Sequence, residues 1–220
     1  MEPTIVDGKS SPNHPVFKPN WNVVSVSQYI LTNFYVTTLS KATLNMKLSA
    51  KVLNERIFGY SIPKGSATNS ITAFAKFYSN SVEFWANRVS SGGAFTSIIV
   101  DDSVLNKRTW TLDLKNRRAS ITGFGSKTLS NFNNTQQALH PFALFGATSE
   151  SGGVSTYSPG MQIYQVKLYE DDVLFYHFVP VPACMRIGDF IVPENGMWDI
   201  VNQQFYGNSG TGSFIYGKDE

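Results

Sequence analysis

Cysteine is nearly absent from this 220-residue chain, in which Cys184 stands alone. A single thiol excludes an intrachain disulfide and a zinc site built from cysteines. The neighbours Pro182 and Met185 indicate a buried structural thiol, and no histidine lies nearby in sequence to activate it. No crosslink is needed at this length, because such a domain buries roughly 70–75% of the surface that its unfolded chain exposes.

Charge is also sparse. Charged residues make up 15% of the chain, the net charge is +2, and there is no basic run. The pairs Lys107-Arg108 and Arg117-Arg118 stand apart and are typical of solvated turns. The sequence therefore predicts no nucleic-acid partner.

Long apolar runs are missing too. No stretch approaches the roughly 18 consecutive apolar residues of a membrane-spanning helix, so no membrane insertion is predicted. Residues 1–7 lack the charged and apolar regions of a secretory signal. We therefore expect a soluble protein that is made in a cytoplasm.

Aromatic residues, in contrast, reach 14%, and Ser, Thr, Asn and Gly are abundant. This composition favours β-structure with long polar loops, and helical patterning is nearly absent. The clearest signal is in residues 44–52, where Leu44, Met46 and Leu48 alternate with polar residues. Such alternation predicts a strand with one buried and one polar face. No repeat of 20–50 residues indicates a solenoid or a propeller.

The chain predicts further strands and hairpins along its length. Residues 28–32 and 35–37 are expected to form an opening strand in two pieces, and 141–146 a continuous strand at the centre of a sandwich. Hairpins are predicted where apolar runs flank short polar turns. The predicted strand segments are 57–59, 71–78 with 82–89, 96–100, 108–114 with 119–124, and 161–169 with 173–178.

Residues 1–25 differ from the rest because prolines and small polar residues prevent regular structure there. Two interpretations stay open: a flexible leader, or an extended arm that docks on a neighbouring subunit. The apolar anchors Phe17 and Trp21 favour docking. We therefore divide the chain into an N-terminal arm, residues 1–25, and one β-domain, residues 26–220.

The most specific pattern lies in residues 178–214. It contains Phe178-Val-Pro-Val-Pro, then Gly196-Met-Trp-Asp-Ile-Val-Asn202, then Phe205-Tyr-Gly-Asn-Ser-Gly-Thr-Gly-Ser-Phe214. We expect a hairpin with a polar turn at 202–204, closed by a glycine-rich turn at 208–212. The apolar residues of this hairpin are expected to cap a β-core; they are Trp198, Ile200, Phe205 and Phe214.

This pattern resembles the C-terminal signature of concanavalin A-like (laminin-G-like) jelly-roll modules, which recur in virion proteins of tailed bacteriophages. Internal segments follow the family order as well, so the resemblance covers about residues 28 to 216. Two of them are Pro141-Phe-Ala-Leu-Phe-Gly146 and Gln162-Ile-Tyr-Gln-Val-Lys-Leu-Tyr169. The resemblance implies an all-β fold, a jelly-roll β-sandwich of antiparallel strands. Function follows from it much less directly.

Some proteins of this fold are glycoside hydrolases, whose retaining chemistry needs two carboxylates about 5–5.5 Å apart. No Glu-x-Asp-x-Glu pattern occurs in the chain. The nearest candidate is Glu83 with Trp85 and Asn87, which share one face of a strand by parity. These residues could contact a sugar, but a structural role with the tryptophan in the core is favoured. We expect no enzyme activity.

Metal chemistry has weak support. His14, His140 and His177 are far apart and show no metal-ligand spacing. Asp101 and Asp102, and the turn Glu170-Asp-Asp172, could contribute oxygens to calcium, which needs six to eight. Acidic residues between strands are more often plain turns. No cofactor is predicted, with calcium at Asp101 and Asp102 as an open alternative.

The loops 60–70, 126–135 and 147–159 are the predicted contact surface, since binding residues concentrate in loops on rigid scaffolds. The individual candidates there are Tyr60, Asn131, Asn133 and Tyr157.

Together with the resemblance, these residues predict a non-enzymatic phage virion protein, in a tail fibre, baseplate or capsid-surface position, that attaches to host-surface carbohydrate. Its expected partners are host glycan, other virion proteins and further copies of itself. One alternative is a purely structural decoration or adaptor protein that docks through its N-terminal arm. A weaker alternative is a glycan-degrading enzyme that depends on Glu83.

Overall fold

A computed structural model describes residues 16–18, 28–61, 71–89, 92–130, 137–149, 151–156, 160–211 and 213–217. These residues form twenty β-strands and one short 3-10 helix, Asp102–Leu105. No α-helix occurs within these ranges, and the predicted all-β class is confirmed.

The strands are numbered in chain order. The first ten are β1 (Val16–Lys18), β2 (Ile30–Leu31), β3 (Ser40–Leu48), β4 (Arg56–Ser61), β5 (Ile71–Tyr78), β6 (Ser81–Val89), β7 (Gly92–Ile99), β8 (Arg108–Asp113), β9 (Arg118–Ile121) and β10 (Gly125–Thr128). The others are β11 (Ala143–Leu144), β12 (Gly146–Ser149), β13 (Val154–Thr156), β14 (Met161–Glu170), β15 (Val173–Val181), β16 (Arg186–Ile187), β17 (Phe190–Ile191), β18 (Gly196–Asp199), β19 (Gln204–Tyr206) and β20 (Ile215–Gly217).

Two large sheets carry the fold. Sheet I has the strand order β10-β9-β8-β3-β14-β15-β18-β19, and its neighbours are antiparallel. Sheet II has the order β13-β12-β4-β5-β6-β7, with β11 beside β4 and β2 beside β11. Its pairs are antiparallel except β12 with β4, which is parallel. The pairs β1–β20 and β16–β17 form small separate ribbons.

The main core lies between the two sheets. Trp110 of β8, in sheet I, is fully buried and contacts Phe77 and Phe84 of sheet II at ring-centroid distances of 6.2 and 6.0 Å. One apolar cluster extends along the chain from Ile30 to Phe214. Interdigitating side chains from two inner faces are the arrangement of a β-sandwich.

Strand β3 confirms the alternation read from the sequence. Its burial alternates at every residue from Ser40 to Leu48, with Leu44, Met46 and Leu48 in the core. The strand begins four residues earlier than predicted and ends at Leu48, so Val52 lies outside it. β3 occupies the middle of sheet I, between β8 and β14, where one face is buried and the other solvated.

Four predicted pairings are confirmed: β5 with β6, β8 with β9, β14 with β15, and β18 with β19. Residues 115–117 form the predicted plain turn between β8 and β9, where Arg117 has a φ of 50° and Asp113 accepts a hydrogen bond from the Asn116 amide.

Two strand predictions need correction. The opening strand is limited to Ile30–Leu31, and residues 35–37 are not in a strand. The apolar run 141–146 is buried as expected, but it is not continuous, because Phe145 adopts a φ of 66° between β11 and β12. β11 runs antiparallel to β4 and β12 runs parallel to it, so the chain reverses direction at Phe145.

The C-terminal residues divide between two clusters instead of capping one core. Phe214 packs in the main core, against Phe145 at 5.0 Å. Trp198, Ile200 and Phe205 belong to a separate satellite cluster with Val181 and Val192. The ribbon β16–β17 covers this cluster, with Phe190 at 5.4 Å from Trp198.

Cys184 is exposed, which corrects the prediction of a buried thiol. It has a φ of 64° in the turn that follows β15, and its amide donates to the carbonyl of Val192 at 2.8 Å. This turn projects the side chain outward, and the neighbouring Pro182 and Met185 gave no signal of that direction.

Part of the predicted N-terminal arm pairs with the domain. In β1, Phe17 lies opposite Tyr216 of β20 in antiparallel register. Trp21 and the rest of residues 1–25 lie outside the described residues. Docking on a neighbouring subunit stays a prediction.

Candidate functional site

The outer face of sheet II carries a row of three aromatic residues across three strands. The core cluster takes Ala73, Ala75 and Phe77 from β5, together with alternate residues of β6. By strand parity, Phe74 and Trp85 therefore point to the opposite, outer face. Phe74 is paired with Trp85, and Trp85 with Phe95, in the register of β5, β6 and β7.

The three rings, which we term the aromatic ladder (Phe74, Trp85 and Phe95), are stacked. The Phe74 and Trp85 centroids are 6.0 Å apart with planes at 6°, and those of Trp85 and Phe95 are 4.7 Å apart at 18°. Phe74 is buried, Trp85 is half-buried, and Phe95 is 41% exposed. Accessibility therefore increases towards β7, which ends the sheet.

Polar groups flank the ladder. The indole Nε1 of Trp85 donates to Glu83 Oε2 at 3.0 Å, and Lys76 Nζ lies 3.2 Å from the same carboxylate. Lys76 also lies 5.8 Å from the Trp85 ring centroid. Glu83 and Lys76 are directly opposite each other in the β5–β6 register. The arrangement fixes the indole plane and places a cation and an anion beside it.

A second cation lies at the buried end of the ladder. The Arg56 guanidinium carbon is 5.6 Å from the Phe74 ring centroid, and Arg56 Nε donates to Ser61 Oγ at 2.7 Å. This side chain helps to cover Phe74, which is 1% exposed although it lies outside the sandwich core.

The sequence placed Glu83, Trp85 and Asn87 on one strand face, and Glu83 and Trp85 are in direct contact there. Trp85 is not a core residue, which corrects the favoured structural interpretation. A register irregularity between β6 and β7 separates Trp85 from Asn87. The side chain of Asn87 lies outside the described part of the molecule.

Other predicted contact residues do not join this site. Strand β4 extends through Ser61, so Tyr60 lies in this strand and not in the expected loop. Tyr60 is fully buried there and offers no surface to a ligand. Asn131, Asn133 and Tyr157 lie outside the described residues. Of the predicted loops, 126–135 begins within strand β10, and 147–159 contains the paired strands β12 and β13.

The two candidate calcium ligands have other roles. The carboxylate of Asp101 caps the 3-10 helix by accepting from the Ser103 amide at 2.8 Å. Hydrogen bonds from the Ser103 side chain and then from its backbone amide lower the pKa of Asp101. Asp102 lies 2.9 Å from Lys51 Nζ. Among the residues that the structure describes, no three His, Cys, Asp or Glu side chains form a group that could hold a metal ion.

His177 is half-buried in β15, which belongs to sheet I, whereas the aromatic ladder belongs to sheet II. Its Nε2 lies 2.6 Å from the amide nitrogen of Gln165, and burial, with Lys167 nearby, lowers its pKa. An amide nitrogen only donates, so this contact needs a neutral imidazole. A structural role on the outer face of sheet I follows.

Phe95, Lys76 and Phe74 were missed by sequence reasoning. Phe74 and Lys76 lie within the predicted strand 71–78, which was already predicted to pair with 82–89, whereas Phe95 lies just before the predicted strand 96–100, because β7 begins at Gly92. What the sequence did not provide was the register, because irregularities occur between Ile71 and Phe74 and between Trp85 and Asn87. A single-residue slip would have put Phe95 beside a different neighbour.

A scan against protein-family models finds no match, and a search of the curated proteins finds no similar sequence. The resemblance in residues 28 to 216 therefore rests on its motif residues alone. Within the described residues, no helix is long and apolar enough to span a membrane.

Proposed function

We propose that this chain is a non-enzymatic, jelly-roll carbohydrate-binding domain that holds sugar on the outer face of sheet II. The observation that carries the proposal is the aromatic ladder, which ends in an exposed Phe95 and has the partly buried Lys76–Glu83 pair against its central residue, Trp85. The proposed contacts are Phe95, the exposed part of Trp85, and the flanking charged groups.

The chemistry of this surface suits a saccharide. A pyranose ring presents apolar C–H faces, which pack on aromatic rings, and a rim of hydroxyls, which bind charged and amide groups. Phe95 provides the aromatic ring. Glu83 provides a hydrogen-bond acceptor and Lys76 a donor, and the two charged groups lie 3.2 Å apart. The indole is already held by Glu83, so little side-chain entropy is lost on binding.

Hydrolysis has less support than binding. Retaining and inverting glycosidases both use a pair of carboxyl groups across the scissile bond. Strands β4 to β7 carry one acidic residue, Glu83, and it is already paired with Lys76 and Trp85. We therefore propose recognition without cleavage. Unchanged turnover in a Glu83→Gln variant of an active preparation would exclude the enzymatic alternative.

The biological setting rests on the motif resemblance. It supports a place on a tailed-phage particle, among other virion proteins and in several copies, with host-surface glycan as the ligand. A shallow site on a sheet face binds weakly by itself, and several copies acting together offset this weakness.

The test is binding of fluorescently labelled protein to an array of bacterial surface polysaccharides. We expect saturable binding, weakened about fivefold by Phe95→Ala, since an aromatic stacking contact contributes about 1 kcal/mol. Ile99→Ala is the matched control: Ile99 is 74% exposed on the same strand and face, but it lies outside the ladder. This variant should bind like the wild type.

Two results would overturn the proposal. One is equal binding by wild type and Phe95→Ala, with both proteins folded by circular dichroism. The other is no binding to any polysaccharide even when the protein is clustered on beads. The second result would favour a purely structural role in particle assembly.

A further inference from the structure

A second candidate surface lies beside the hairpin β14–β15, on other strands than the aromatic ladder. It is a cleft of about 280 Å³ with walls formed by Tyr35, Phe175 and Tyr176. Tyr35 and Phe175 are 41% and 47% exposed. The volume is just below the roughly 300–1,000 Å³ that is typical of small-molecule sites. The cleft therefore has room for one small organic group against aromatic rings.

Glu170 supplies the charged group of this cleft. Its Oε2 accepts from Ser40 Oγ at 2.6 Å, and its Oε1 accepts from Thr37 Oγ1. Both donors are neutral hydroxyls, so they orient the carboxylate without compensating its charge. Glu170 and Thr37 both line the cleft.

The two neighbouring acidic residues differ from Glu170 in this respect. Asp171 lies 2.8 Å from Lys115 Nζ, and Asp172 pairs with Lys115 and with Lys41. No ion pair among the described residues includes Glu170. Glu170 is thus the one of these three acidic residues that lines the cleft with the aromatic walls, and it is also the one that is not paired with a lysine.

We propose that this cleft binds an organic ammonium group, held between the aromatic walls and the Glu170 carboxylate. Aromatic faces attract cations through the ring quadrupole, most strongly where water is partly excluded. The carboxylate adds a direct charge interaction on the polar side. Asn33 and Gln137 also line the cleft and can hydrogen-bond to hydroxyls next to the ammonium group.

The proposal can be tested by NMR titration of the full chain with two probes. One is choline, and the other is its uncharged isostere dimethylbutanol, in which carbon replaces the nitrogen. The two probes have the same shape and differ in charge. We expect choline to bind at least about tenfold more tightly than the alcohol. Glu170→Gln should weaken choline binding about tenfold, because Gln keeps an acceptor oxygen for Ser40 but loses the charge. Phe175→Ala should weaken it at least about fivefold.

The controls separate this site from the sheet II surface. Val173→Ala alters an exposed apolar residue of the same strand that does not line the cleft, and should leave choline binding unchanged. Phe95→Ala should also leave it unchanged, whatever its effect on polysaccharide. Equal affinity for choline and the alcohol, no binding of either, or full choline binding by folded Glu170→Gln would overturn the proposal.

Discussion

Gly59 is the residue at which four strands of sheet II meet. Within β4, it lies opposite Phe74 of β5 on one side, and it is paired with Ala143 of β11 and Ala147 of β12 on the other. Its φ is 118°, in a region that side chains rarely adopt. A Cβ at this position would overlap the carbonyl oxygen of Ala73. Since Phe74 starts the aromatic ladder, this glycine also positions the candidate site.

Replacing Gly59 with alanine should therefore destabilise the protein strongly. We expect a loss of at least about 3 kcal/mol in the free energy of unfolding, from the backbone strain and from the displaced β5 carbonyl. Urea unfolding followed by tryptophan fluorescence measures this loss. A variant within about 1 kcal/mol of wild type would contradict the close approach of β4 and β5.

Gly125→Ala is the matched control for this substitution. Gly125 has a φ of 88°, but a Cβ built on it would have no heavy atom within 4 Å beyond those of Gly125 and its two chain neighbours. It therefore carries the backbone cost without the overlap, and we expect a loss of about 1–2 kcal/mol. The difference between the two variants isolates the contribution of packing at Gly59.

At the scale of the element, the turn between β18 and β19 is organised by one buried carboxylate. Oδ1 of Asp199 accepts from the backbone amides of His177 at 2.9 Å and Val201 at 3.1 Å, and Oδ2 accepts from the amide group of Asn202. Asn202 in turn donates to the Phe175 carbonyl at 2.8 Å. The Trp-Asp-Ile-Val-Asn motif thus fixes a turn and attaches it to β15.

Two substitutions of Asp199 should have different costs. Asp199→Ala leaves two backbone donors and the Asn202 amide without an acceptor, so we expect a loss of about 3 kcal/mol in unfolding free energy. Asp199→Asn keeps an oxygen for both backbone donors and loses the contact with Asn202, so about 1 kcal/mol is expected. Chemical denaturation measures both values. Equal losses would show that the backbone contacts do not hold this turn.

Elements with local signals were predictable from the sequence. β3 shows strict alternation, and the β5–β6 and β14–β15 hairpins have apolar runs on both sides of a short polar turn. The break at Phe145 was not predictable, because the positive φ there is imposed by the reversal of the chain beside β4. The ribbon β16–β17 is a local hairpin, but its packing is not local, because it lies over the satellite cluster.

The candidate site was only half predictable, because some of its contacts lie within one strand and others join distant parts of the chain. Strand parity placed Glu83 and Trp85 together, because that relation lies within one strand. Phe95 joins them through pairing across an irregular register, and the sequence contains no signal of that register. The Glu170 cleft unites residues that are more than a hundred positions apart, such as Thr37 and Glu170.

At the scale of the whole molecule, the two proposed sites and the exposed thiol lie on different elements. The ladder belongs to the outer face of sheet II, and the cleft belongs to β14, β15 and the segment 33–37. Cys184 follows β15 of sheet I, next to the satellite cluster. Because it is the chain's single cysteine, a maleimide reagent modifies one position that is outside both sites.

This arrangement allows a direct test of whether several copies act together. Protein biotinylated at the exposed Cys184 can be measured as a monomer or assembled four at a time on streptavidin, through a position that is not part of sheet II. Linked sites rebind before the complex leaves a surface, so the tetravalent form should bind immobilised polysaccharide at about a hundredfold lower concentration. Surface plasmon resonance at matched site concentration measures the ratio.

Phe95→Ala should weaken both forms, while Ile99→Ala should weaken neither. If assembly on streptavidin gives no gain although the monomer binds, the saccharide sites cannot be engaged together, and weak attachment through several copies is the wrong mechanism for this fold.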